Sequence, residues 1–108
     1  MLVLMRVYYP PNQGSKVGEK FIEWMKDHPP DPSISKVLSI GVGSTESGDI
    51  MVIGISEVVK GKENEAMERA AQQNFFLANE VEGFKYKNEL IMDYTEAYKI
   101  IRMTAPKV

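Results

Sequence analysis

Hydrophobic and polar positions along this chain switch repeatedly between two periods. Leu2 to Tyr9 alternates, with Val3, Met5, Val7 and Tyr9 on one face and Leu2, Leu4, Arg6 and Tyr8 on the other. That is the period of a β-strand. Pro10-Pro11 ends it, because proline donates no ladder hydrogen bond. From Ser15 to His28 the period becomes helical: Val17, Phe21, Trp24, Met25 and His28 form one stripe, opposite Lys16, Glu19, Lys20, Glu23 and Asp27. Asn12 or Ser15 is the expected N-cap. Pro29-Pro30 and Pro32 stop this helix.

Alternation returns over Lys36–Ser44, with Leu38, Ile40 and Val42 on one face and Val37, Ser39, Gly41 and Gly43 on the other, nearly bare, face. Glu46-Ser47-Gly48-Asp49 has the composition of a hairpin turn. Ile50–Val59 is apolar on both faces, Met51, Ile53 and Ile55 against Ile50, Val52 and Val58. Such a strand expects cover on both sides. Lys62–Val81 reads as a second helix with Gly61 as N-cap, Glu63 and Glu65 at its positive end, and a stripe of Met67, Ala70, Ala71, Leu77, Ala78 and Val81. Phe84–Tyr94 is the last strand. Thr95 then caps a short helix over Glu96–Met103. The order β-α-β-β-α-β predicts an α+β, ferredoxin-like domain over residues 1–108: a four-stranded antiparallel sheet with two helices on one face and a short C-terminal helix. The uncovered side of the doubly apolar strand predicts a second copy of the chain against it.

Composition narrows the function classes. The 108 residues carry a net charge of −2, which offers nothing to nucleic acid or an anionic membrane. The absence of cysteine excludes disulfides, Fe–S clusters and thiolate metal sites. With a single histidine no zinc site is expected, and no other metal or cofactor is implied. The apolar start, Met1 to Met5, lacks a signal peptide's basic lead and long apolar core. No apolar run reaches the roughly 20 residues of a membrane span. A soluble cytoplasmic protein is expected. The 7 methionines serve as flexible core filler or line an adaptable pocket. No phosphate-loop pattern occurs; Gly41-Val42-Gly43 lies inside a strand, where glycines mark close backbone approach.

Candidate chemistry rests on a few side chains. His28 either interacts with the last carbonyls of its helix or serves as a proton shuttle at the end of a pocket. Asn74 falls near the centre of the second helix's apolar stripe, so its amide must find partners: a strand tyrosine, backbone, a buried water or a ligand. Phe76 falls on the polar side of the same helix, to be covered by the C-terminal helix or a partner subunit. Tyr9 and Tyr86 have the parity to face the helices. A pocket lined by Tyr9, Trp24, His28, Asn74 and Tyr86 is the candidate ligand site, the alternative being a filled core. Arg6, Glu57, Lys85, Lys87, Glu89 and Asp93 lie on strands, several facing away from the helices, where they are placed for ion pairs between subunits.

The element order and the doubly apolar strand Ile50–Val59 resemble the dimeric α/β-barrel superfamily, whose ferredoxin-like subunits pair sheet to sheet. The resemblance implies a homodimer, with a ligand between helices and sheet or near the subunit interface. Two functions follow: a small-molecule-binding or structural dimer, or a cofactor-independent monooxygenase or isomerase acting on an aromatic or apolar small molecule. In the second, His28 is the expected proton shuttle, Asn74 the polar orienter, and Tyr9, Trp24 and Tyr86 the walls. Ile50-Met51-Val52-Ile53-Gly54-Ile55 lacks the stacking aromatics of an RNA-recognition domain.

Overall fold

The strand at the head of the chain becomes one of the two central strands, because both of its faces carry apolar residues. In a computed structural model describing residues 1–108, β1 (Leu2–Tyr9) lies between β3 (Ile50–Val58) and β4 (Lys85–Ile91), and β2 (Ser35–Ser44) adds outside β3. The sheet order is β2-β3-β1-β4, antiparallel throughout. Helix α1 (Gly14–Asp27) joins β1 to β2, α2 (Glu63–Glu80) joins β3 to β4, and a short α3 (Tyr94–Ile100) follows β4. This is the ferredoxin-like α+β arrangement that the hydrophobic periods predict.

Register decides which residues face the helices, because directly opposed residues share a face. Val3, Met5 and Val7 of β1 oppose Ser56, Gly54 and Val52 of β3, and Leu90, Asn88 and Tyr86 of β4. The buried core lies between this face and α2. One cluster joins Val7, Tyr9, Leu77, Val81 and Phe84; the other joins Val3, Val58, Ala66 and Ala70. Each large apolar side chain buried here contributes roughly 1.5–3 kcal/mol. Ala66 and Ala70 are small enough to bring α2 close to the strands. Ala71, expected in this stripe, is exposed instead, because the buried face runs through Ala66, Ala70, Asn74 and Leu77.

Other expectations change in detail. A register shift between Val37 and Ser39 makes Leu38 a bulge. An extra residue reverses the alternation before it, so Val37 joins Ile40 and Val42 opposite Ser56, Gly54 and Val52, on the helix side. Neither Asn12 nor Ser15 caps α1: a short 3-10 turn, Pro11–Gln13, leads into it, with Gln13 at the N-cap and no side-chain bond. Gly61 is not the cap of α2; it takes φ +87° in the turn before Lys62, the N-cap residue. β4 ends at Ile91, and Asp93, not Thr95, caps α3. The Asp93 carboxylate accepts from the Glu96 backbone N–H at 2.8 Å while Glu96 returns a bond to the Asp93 N–H, a capping box. Those bonds hold the Asp93 carboxyl below the usual carboxylate range.

Gly83, between α2 and β4, has φ +77°, and a Cβ there would stand 2.9 Å from Pro10 Cγ and 3.0 Å from Cδ. Gly83→Ala therefore combines a left-handed backbone with a clash against a rigid ring. It is expected to cost about 1–3 kcal/mol, read as a lower urea midpoint with an unchanged slope.

Candidate functional site

Unlike α2, α1 does not close on the sheet. None of its residues is buried, although it carries the apolar stripe the sequence predicts. Between it and the strands lies a cleft of about 830 Å³. Val3, Met5, Val7 and Tyr9 of β1, Val52, Gly54 and Ser56 of β3, and Val37 and Ile40 of β2 form its floor. Gly14, Val17, Gly18, Phe21 and Met25 form the α1 wall, at the i, i+3, i+4 spacing of one helix face. Ala66, Arg69, Ala70, Gln73, Asn74 and Leu77 form the α2 wall.

Asn74 is the one polar residue among the buried set, with no exposure at all. Its Nδ2 donates to Asn88 Oδ1 at 2.8 Å, bridging α2 to β4. Its own Oδ1 has no partner in the protein. An unpaired buried acceptor costs roughly 1–3 kcal/mol, so Asn74 in this arrangement lowers the stability of the fold. The partner expected for Asn74 was a tyrosine, backbone, water or ligand; the structure supplies a second amide. Asn88 is legible in retrospect as a polar residue between Tyr86 and Leu90 on an otherwise apolar strand face.

The predicted site residues divide into two groups. Tyr9 and Asn74 line the cleft; Trp24, His28 and Tyr86 do not. His28 is the C-cap of α1, its N–H donating to the Trp24 carbonyl at 3.0 Å and its ring stacked on the Trp24 indole with centroids 3.6 Å apart. Trp24 in turn packs against Phe76 of α2, centroids 5.5 Å apart. Within the chain, this pairing gives Phe76 cover from α1. Tyr86 packs against Phe84 and is 38% exposed.

Charged groups sit around the far end of α1. The Arg69 guanidinium donates to the His28 carbonyl at 2.8 Å and to that of Pro29, placing a cation on the negative end of the helix. Asp31 accepts from the Ser33 hydroxyl at 2.6 Å and the Ser33 N–H at 3.0 Å, and these bonds hold its carboxyl below the usual range. Lys20 of α1 reaches Glu80, the last residue of α2, at 3.6 Å. On the opposite face of the sheet, Arg6 pairs with Glu89, and Lys87 lies 3.8 Å from the same carboxylate. Three of the groups expected to pair between subunits, Arg6, Lys87 and Glu89, thus already pair within one chain, while Glu57 and Lys85 do not.

The glycines of the cleft escaped the sequence reading. Gly18 and Gly54 lie inside regular elements and Gly14 opens α1, and a Cβ added at any of them would meet no atom within 4 Å. Neither backbone strain nor packing requires glycine there. Glycine at i and i+4 in a helix, each costing about 1 kcal/mol relative to alanine, was the available signal.

The chain matches no known family profile and no curated protein. Among solved structures it is similar to the de novo designed protein Ferredog-Diesel, at 15% identity over 83% of this chain and 85% of that one, with a TM-score of 0.53. The C-terminal domain of the MgtC protein from Mycobacterium tuberculosis aligns at 13% identity over 82% and 86%, TM-score 0.48. The designed protein Foldit4 aligns at 14% identity over 84% and 97%, TM-score 0.49. The likeness to Ferredog-Diesel speaks to fold alone. With the sheet order it defines the class: an α+β ferredoxin-like protein with a cleft beneath its first helix.

Arg69 is the bond that holds the end of α1. Arg69→Leu is expected to lower stability by about 1–2 kcal/mol. It should also speed amide hydrogen exchange in the last turn of α1 more than in α2.

Proposed function

We propose that this chain is a homodimeric binding protein for an apolar small molecule, held in the cleft between the helices and the sheet. The observation that carries the reading is α1. It turns Val17, Phe21 and Met25 toward the sheet, yet buries no residue. An amphipathic helix is stabilised mainly by burying its apolar face, and a guest in the cleft supplies the missing surface. The volume of about 830 Å³ lies within the roughly 300–1,000 Å³ of small-molecule sites. The mostly apolar lining with a few polar groups also matches such sites. A catalytic reading finds less support, since His28, its expected proton shuttle, stacks on Trp24 outside the cleft.

Dimerisation is supported by the other face of the sheet, which α1 and α2 leave uncovered. Leu2, Leu4, Met51, Ile53 and Ile55 stand there side by side as an apolar ridge, by the register of β1 and β3. Next to it, Ser39, Gly41 and Gly43 of β2 oppose Ile55, Ile53 and Met51 and form a nearly bare strip. A Cβ at Gly41 would meet nothing within 4 Å, so no packing inside the chain requires that bareness. A two-fold axis lays the ridge of each copy in the strip of the other, a self-complementary contact. It is the sheet-to-sheet pairing of the dimeric α/β-barrel superfamily.

Two measurements test these parts separately. The neutral fluorophore N-phenyl-1-naphthylamine is expected to bind once per chain with an increase in emission. Gly54→Leu, which fills the cleft from its floor, should abolish the signal while leaving the circular dichroism unchanged. Unaltered binding to that variant would place the probe elsewhere. For the dimer, Ile53→Asp should convert the sedimenting species to monomer or unfold it. A folded variant with the wild-type sedimentation coefficient would remove the sheet face as the contact.

A further inference from the structure

The cleft's interior chemistry narrows the ligand, on the reading that the cleft is a binding site. Its charged groups are Asp31, Lys36 and Arg69. Asp31 is engaged by Ser33, Arg69 by the carbonyls of His28 and Pro29, and Lys36 is exposed at the start of β2. None is available deep in the cleft to pair with a ligand ion, and an unpaired ion in apolar surroundings is strongly disfavoured. The part of the ligand that lies over the cleft floor is therefore neutral.

Register then locates the polar part of the site. Gly54 of β3, Met5 of β1 and Asn88 of β4 lie in one row across the sheet. Asn74 bonds Asn88 and so sits at the same level, midway along β1. The β1–α1–β2 crossover carries α1 over β3, and the Trp24–Phe76 contact sets the second half of α1 beside Asn74, so the space above Gly54 lies beneath the Phe21–Met25 stretch. A Cβ at Gly54, Gly14 or Gly18 would meet open space. Apolar floor continues on both sides of this level, from Val3 to Tyr9, a span of about 20 Å at ~3.3 Å per residue.

We infer that the cleft takes a neutral, elongated apolar molecule bearing a hydrogen-bond donor partway along its length, lying over Gly54 with the donor directed to Asn74. Asn74 borders the cleft, is wholly buried, and has an Oδ1 that accepts from nothing in the protein. No other buried side-chain nitrogen or oxygen lacks a partner, and Asn74 lies level with Gly54, where the cleft floor carries no side chain. In this structure the Oδ1 is covered, so engaging it takes a turn of the side chain toward the cleft as the ligand packs in. Gly54 makes room for that central segment, Gly14 and Gly18 widen the end near Tyr9, and Val3, Tyr9 and Val17 hold the apolar ends.

The test compares three probes on the full chain by isothermal titration: a dodecanol with its hydroxyl at mid-chain, the ketone of the same skeleton, and dodecanoate. The alcohol is expected to bind about 5-fold tighter than the ketone, the effect of one net hydrogen bond, and dodecanoate weakest. Asn74→Leu should bring alcohol and ketone to equal affinity, and Gly54→Leu should abolish both while keeping its melting temperature. The wild-type comparison stands even if Asn74→Leu fails to fold. Equal binding of alcohol and ketone, or tighter ketone, overturns the donor while leaving the cleft as a site. Tightest binding of dodecanoate overturns neutrality. Binding of no probe, and of no naphthylamine, removes the cleft reading itself.

Discussion

Ala66 and Ala70 let α2 settle onto β1 and β3, and the position of every other element follows from that contact. The two buried clusters lie beneath α2, one at each end, with Leu77, Val81 and Phe84 closing the end nearest Tyr9. The sheet is thereby fixed at its centre, on β1, while its outer strand β2 contributes no buried residue and its first helix meets the core only through Val17. Asymmetry between the helices is the central physical fact of the molecule. One is docked through small side chains; the other is held mainly at its margins, by Arg69 on its final carbonyls, by Lys20 to Glu80 and by the Trp24–Phe76 contact.

That asymmetry links stability to occupancy. A helix attached at its margins has a low local opening free energy, and the backbone beneath it contributes little to the cooperative core. Any molecule filling the space adds contacts that the folded chain alone lacks, and so shifts the opening equilibrium toward the closed form. Asn74 belongs to the same logic. It interrupts an otherwise apolar helix face at the boundary between core and cleft. Its unpaired acceptor is tolerated because the clusters on either side are well packed.

Much of this fold was legible in the hydrophobic periods, because each strand and helix buries one face. The order of elements, the hairpin at Gly48 and the double apolar character of β3 all follow from residue parity. Two kinds of feature were not legible. Single-residue irregularities, such as the bulge at Leu38, invert the parity of a neighbour without leaving a compositional mark. Helix depth is also silent: the stripe of Val17, Phe21 and Met25 looks the same whether a helix touches the sheet or stands away from it. For that reason Tyr9 and Asn74 were placed correctly on the helix side, whereas His28 and Trp24 turned out to pack on each other beside the cleft. The residues that shape the cleft most, Gly18 and Gly54, lack the side chains by which a site is usually recognised.

The bulge at Leu38 has a consequence for the molecule's behaviour in a crowded solution. β2 is a ten-residue outermost strand with exposed Val37, Leu38, Ile40 and Val42. Such an edge is a template on which a foreign strand could continue the ladder, chain after chain. The extra residue breaks the regular spacing of donors and acceptors near its start and increases the local twist. An incoming strand finds regularly spaced partners over Ser39–Ser44 only, so the irregularity shortens the template that this edge offers.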